Sequence, residues 1–181
     1  MQILDADSRR ELLRLDGLGN PRFGPGDCWL ATNRADGSVS LWDPQSGREI
    51  RKLAANGHHS VRIASNSDGT RLACGTTAGK ILIWDLARDV PPQVVGGHAG
   101  LVTSLVFSPD GRTLASSDLH GTVIIWNEGF AEIKRWQIGS AVQDMTFSPN
   151  SQLLGSVDEC GSGSHAVPFA RRQGFAACGT C

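Results

Sequence analysis

Three stretches, "DGSVSLWD", "AGKILIWD" and "HGTVIIWN", place Trp42, Trp84 and Trp126 at a constant spacing of 42 residues. A period of this length constrains the chain more than any other feature. It requires one supersecondary unit built repeatedly, and no such unit buries its apolar faces without neighbours. The pairs Gly57-His58 and Gly97-His98 stand upstream of two of the tryptophans, with the turn sequences "NSDGT" and "SPDGRT" in between and "SPNSQ" later. Phe23, Ser65 and Phe107, just ahead of the turn position, each precede their Trp by 19 residues. Three units sharing one offset are not a chance arrangement.

The runs "LVTSLVF", "TLASS" and "TVIIW" are short, rich in β-branched residues and separated by turn formers, which predicts strands. "SPDG" offers Pro and Gly at the positions a type I turn uses, and "HG" or "DG" closes the next tight hairpin. A fourth, more polar strand is predicted from "REIRKLA", "PQVVGG" and "AEIKRWQ". The 22 glycines among 181 residues fit a turn-rich chain.

This pattern resembles the WD40 repeat, in which each repeat makes one β-propeller blade. The resemblance covers residues 2–162 and implies an all-β fold, a partial β-propeller of four-stranded antiparallel blades. Three near-complete blades are flanked by a half blade at each end. It also implies a buried tetrad in each blade: the Gly-His histidine, a Ser or Thr eight residues before Trp, an Asp six before it, and the Trp. On those offsets no repeat is complete. Asp36 and Trp42 stand with Arg34; His58, Thr76 and Trp84 with Ala78; His98 and Trp126 with Asp118 and His120. Partly filled networks predict modest stability.

The formal net charge of −1 supplies no field to draw nucleic acid or an anionic membrane. "MQILDADSRRELLRL" carries charge where a signal peptide needs an apolar stretch, and no apolar run approaches the ~20 residues of a membrane helix. Five cysteines, an odd number, without an export signal favour reduced thiols and a cytoplasmic location. His98, Ser116 and Asp118 have the residue types of a nucleophilic triad. In this context the histidine reads as a structural hydrogen-bond partner, and no enzyme activity or cofactor is expected. "GLGNPRFGPG" precedes a strand rather than a helix, so it is no phosphate cradle.

Leu4 occupies the place of Trp42, so the chain begins at the third strand of a blade, with "RELLRL" as the fourth. The next blade reads as stunted because "GLGNPRF" is short for an inner strand. "SAVQDMTFSPN" and "QLLGSVD" supply the inner two strands of a last blade, where Gln137 and Ile138 replace Gly-His. Aligned with "LASSDLHGTVIIWN", the stretch "LGSVDECGSGSHAV" matches as far as Ser162, after which "VIIW" meets "GSHA". Residues 163–181 are therefore expected to be a non-repeat, disordered tail, from a frame change, a truncation or a loose end. Cys160, His165, Cys178 and Cys181 have an order that Zn²⁺ could use, though one C-x-x-C is half a site and could equally be a redox pair.

The resemblance implies a non-enzymatic scaffold that binds other proteins through loops at one end of the propeller. The positions it offers are Arg34, Ala35, His59, Arg62, Thr77, Thr103, Leu119 and Gln143, of which Leu119, Arg34 and Arg62 have the chemistry favoured at binding hot spots. The complementary half blades would close a four-blade ring within one chain, or an eight-blade ring in a head-to-tail homodimer. The alternatives are a fragment of a larger WD-repeat regulatory protein without activity of its own, and a small zinc- or redox-binding protein acting through its tail.

Overall fold

Each predicted unit folds as a four-stranded antiparallel sheet. The computed structural model describes residues 2–15, 18–158 and 165–168. The first sheet pairs β1 (Gln2–Leu4) with β2 (Glu11–Arg14). The second contains β3 (Leu18–Phe23), β4 (Leu30–Asn33), β5 (Val39–Trp42) and β6 (Glu49–Leu53). The third contains β7 (Ser60–Ser65), β8 (Arg71–Thr76), β9 (Lys80–Asp85) and β10 (Gln93–Gly96). The fourth contains β11 (Val102–Phe107), β12 (Leu114–Asp118), β13 (Thr122–Trp126) and β14 (Glu132–Gln137). The last contains β15 (Val142–Phe147), β16 (Leu153–Asp158) and β17 (His165–Pro168). Strands follow chain order within every sheet, and β3, β7, β11 and β15 lie side by side along the inner edge. This is a partial propeller, and its sheets are blades 0 to 4 below.

The core lies between blades, which explains the continuous apolar runs. Both faces of β5 and β13 are covered, and every residue of each is buried. Ala31, Val39 and Leu41 of blade 1 pack on Ile63, Leu72 and Leu82 of blade 2; Ile81 and Ile83 of blade 2 pack on Leu105, Leu114 and Ile124 of blade 3. Ala115, Val123 and Ile125 meet Val142, Met145 and Leu154 of blade 4. The Val, Leu, Ile and Met side chains among these stabilise by roughly 1.5–3 kcal/mol each when fully buried. Phe107 and Phe147 are buried, whereas Phe23, in the same place on blade 1, is 51% exposed. Blade 0 presents only its two outer strands to it.

The "DG" and "HG" hairpins owe their glycines to the next blade. Gly37, Gly79 and Gly121 all have positive φ, at 82°, 73° and 80°. A Cβ on them would lie 2.4 Å from His58 O, 2.4 Å from His98 O and 2.3 Å from Ser140 O respectively. The turn between second and third strands therefore stacks directly on the loop that enters the following blade.

Two sequence expectations are corrected here. The inner strand of blade 1 is not stunted: β3 runs six residues, absorbing its awkward sequence as an irregularity between Leu18 and Arg22, with Gly19 and Asn20 at positive φ. The last blade has a third strand, since the backbone of His165–Pro168 pairs with β16, Ser156 opposite His165. In blade 3 the residue opposite Ser116 is Ile124, so the last hairpin is one residue longer than the gapless alignment assumed. The terminal sheets thus hold two and three strands rather than two and two. Residues 169–181 lie outside the described residues.

Candidate functional site

The buried cluster of blade 3 brings together all four tetrad residue types, His98, Ser116, Asp118 and Trp126, contrary to the reading of the sequence. Trp126 Nε1 donates to Ser116 Oγ at 2.8 Å, and the same oxygen lies 2.7 Å from His98 Nε2. His98 Nδ1 faces Asp118 Oδ2 at 3.2 Å, and Asp118 Oδ1 accepts the amides of His120 and Thr122 at 3.0 and 2.9 Å. The indole N–H can only donate, so Ser116 Oγ accepts it, and the same oxygen meets Nε2 of an imidazole whose Nδ1 faces the carboxylate. The error lay in the offsets. Ser stands ten residues before Trp and Asp eight, because Leu114 pairs with Trp126 and the indole reaches back across the hairpin to Ser116.

Ser116, His98 and Asp118 therefore have the connectivity of a nucleophilic triad, but the side chains of His98 and Asp118 are fully buried and Ser116 is 0% exposed. Its oxygen is occupied by Trp126, and no substrate atom can approach it. Burial drives the His98 pKa below its ordinary value, against the pull of Asp118. Burial also works to raise Asp118, but the Thr122 amide and His98 outweigh it and hold the carboxylate below its usual range.

With the offsets corrected, the other blades read differently. Thr32 is the hydroxyl of blade 1 and accepts Trp42 Nε1 at 2.8 Å. Arg34 takes the Asp place, lies over the Trp42 ring at 5.9 Å and bonds Ser40 Oγ at 3.1 Å and Glu49 Oε1 at 3.4 Å. Asp36 sits in the turn, where Ser38 and Lys52 hold its pKa far below the carboxylate range, Lys52 first. In blade 2, Cys74 holds the hydroxyl position beside Trp84. Thr76 replaces the Asp, with its Oγ1 accepting Lys80 N at 3.0 Å and donating to Lys80 O at 3.0 Å. The His58 ring makes no hydrogen bond among the described residues.

The loop positions implied by the resemblance fall on one end of the arc, and some are brought together. Thr77 N donates to His59 O at 3.1 Å, and Leu119 N to Leu101 O at 3.0 Å, so each hairpin turn is clipped to the loop entering its blade. Arg34 and Arg62 line one cleft of 290 Å³ together with Asn20, Asn33, Ser60, Val61, Leu101 and Val102. Arg62 Nε donates to Thr103 O, and Nη1 to Asn20 Oδ1 at 3.0 Å. Leu119 is 49% exposed on the same end. Ala35 and Gln143 are exposed but line no part of the cleft.

Asn20, Asn33 and Ser60 were missed from the sequence. A signal was present: Asn20, Arg62 and Ser104 are spaced by 42 residues and occupy one register on successive inner strands. Each reaches its neighbour, Asn20 Nδ2 to Val61 O at 2.6 Å and Ser104 Oγ to Asp144 Oδ1 at 3.2 Å. Of the tail ligands, Cys160, Cys178 and Cys181 lie outside the described residues, and His165 is described only as part of strand β17.

Residues 47–85 and 90–127 match the family described as WD domain, G-beta repeat. The WD repeat-containing protein SL1-17 of Schistosoma mansoni is 38% identical over 95 residues, covering 52% of this chain and 31% of that protein. The serine-threonine kinase receptor-associated protein of Gallus gallus is 29% identical over 126 residues, 68% of this chain and 35% of that protein. A chain in the crystal structure of a mitotic checkpoint complex matches with a TM-score of 0.76 at 22% identity, over 84% of this chain and 49% of that chain. At that identity the likeness concerns the fold. This chain spans about a third of the length of those two relatives.

Proposed function

Since residues 47–85 and 90–127 are WD repeats set in consecutive propeller blades, we propose that the chain is a non-enzymatic protein-interaction scaffold of the cytoplasm. Its docking end is the one formed by the hairpin turns and the entering loops. One observation carries this reading: those turns and loops are tied to each other by backbone hydrogen bonds, so exposed Leu119 is presented from a rigid support. The test is affinity capture of the full chain from cells, comparing the parent with Leu119→Glu on this end and Ile133→Glu on the outer rim. The partners retained by the parent should be lost with Leu119→Glu and kept with Ile133→Glu. Equal loss in both variants, or in neither, overturns the assignment of the docking end.

A second reading is favoured by coverage: these blades belong to a longer regulatory WD-repeat protein and meet further blades at Phe23 and at Leu153 and Val157, which are half exposed at opposite ends of the arc. A head-to-tail homodimer would have to accommodate five strands where a blade holds four, and a monodisperse monomer in light scattering would eliminate it. A zinc- or redox-active tail is supported by ligand order alone; metal analysis of the purified chain decides the first and thiol titration with and without reductant the second.

A further inference from the structure

We propose that the cleft between blades 1 and 2 captures an acidic side chain of a partner polypeptide, with Arg62 as its anchor. The proposal rests on the reading that this end docks proteins and adds the chemistry of what is docked. Arg62 is half-buried, yet among the described residues no carboxylate pairs with it. Its two recorded partners, the Thr103 carbonyl and the Asn20 amide oxygen, are neutral. A guanidinium has five donors in a fixed fork, and two of these are used, which leaves donors on both terminal nitrogens. The side chain is also held in place. Nε is tied to blade 3, and Nη1 to Asn20 of blade 1, whose own Nδ2 is fixed on Val61 O at 2.6 Å. Little conformational freedom remains to be lost on binding.

The surroundings select the ligand. The cleft of 290 Å³ is lined by Asn20, Asn33, Ser60, Val61, Leu101 and Val102 besides the two arginines, and none of the described residues that line it is acidic. Arg34 is already paired with Glu49, so the uncompensated positive charge belongs to Arg62. A carboxylate entering here gains charge-assisted hydrogen bonds, which are shorter and stronger than neutral ones, in a site partly removed from water. Val61, Leu101 and Val102 suit an apolar residue next to the acid. A lysine or arginine in the ligand would meet like charge, which discriminates against basic segments.

The experiment is selection from a phage-displayed library of random dodecapeptides on the immobilised full chain. The selected peptides are then titrated by fluorescence anisotropy against the parent, Arg62→Gln and Leu101→Glu. Circular dichroism confirms that each variant is folded. Selected sequences should share an Asp or Glu beside an apolar residue. Their binding should weaken at least tenfold in Arg62→Gln, and likewise when that acid is replaced by its amide. Leu101→Glu leaves Arg62 in place but offers it a carboxylate of its own, so the same loss is expected; should Arg62→Gln fail to fold, this variant decides. Selected sequences without an acid, or unchanged binding to the folded variants, overturn the proposal. Acid-free peptides lost with Leu119→Glu would leave the docking end standing and remove only the anion; a selection yielding no binder to this end would remove both.

Discussion

Trp126 donates its indole N–H to Ser116 Oγ at 2.8 Å across the two central strands of blade 3, in a site that excludes water. Ser116→Ala removes the acceptor of Trp126 and the partner of His98 Nε2 together, leaving two buried polar groups unsatisfied. A loss of roughly 2–4 kcal/mol is expected in urea unfolding. Thr32→Val in blade 1 breaks only the bond to Trp42 and should cost about 1–2 kcal/mol. Equal effects would mean that the histidine contributes nothing to the network of blade 3.

Glycine substitutions separate backbone strain from crowding between blades. Gly79 and Gly57 both have positive φ, 73° and 84°. A Cβ on Gly79 would fall 2.4 Å from His98 O, whereas one on Gly57 meets nothing within 4 Å. Gly57→Ala should therefore cost about 1–2 kcal/mol, the left-handed penalty alone. Gly79→Ala should cost more by at least ~1 kcal/mol, because the two blades must separate. Chemical denaturation of the pair measures the difference.

Acid should weaken the fold through His98. Its folded-state pKa lies below its ordinary value of 6.5, chiefly from burial. The neutral ring's contribution is thus fully present above pH 6.5 and is lost as pH falls from there towards the folded-state pKa. Asp118, also depressed, adds a further loss at lower pH, as its carboxylate becomes protonated below the ordinary value of 3.8. Stability measured by denaturant between pH 7.5 and 4.5 should decline, and His98→Gln should flatten that decline while lowering stability at neutral pH. An unchanged slope in the variant would assign the acid sensitivity elsewhere.

The two described cysteines should differ sharply in reactivity. Cys28 is exposed, whereas Cys74 is 0% exposed and burial pushes its thiol up to about 12. Peptide-resolved alkylation at pH 8 should label Cys28 in the native chain and Cys74 only in denaturant. Labelling of Cys74 at the rate of Cys28 in native buffer would show that the contact between blades 1 and 2 opens readily.

Much of this architecture was legible because a repeat states its own register. The 42-residue spacing located the turns of blades 2 and 3, and the β-branched runs located the strands between them. The tetrad was misread for a geometric reason. A residue's hydrogen-bond partner on a neighbouring strand follows from hairpin register, and moving the offset by two positions exchanges Ser116 for Asp118 and Asp118 for His120. The cleft at Arg62 was only half visible. Arg62 was identifiable as a loop-end cation, but its lack of an acidic partner depends on what three adjacent blades place around it.

By itself the sequence determined the unit: strand–turn periodicity and residue chemistry are local, and together they specify a four-stranded blade that must stack. The tertiary structure decided which side chains meet. Gly79 belongs to one blade and His98 to the loop entering the next, as Arg62 and Asn20 belong to neighbouring inner strands. Stacking brings each pair together across gaps of 19 and 42 residues. The reason is physical: apolar faces covered on both sides fix the spacing of the blades, and that spacing determines which polar groups at their ends find a partner and which are left facing an open cleft.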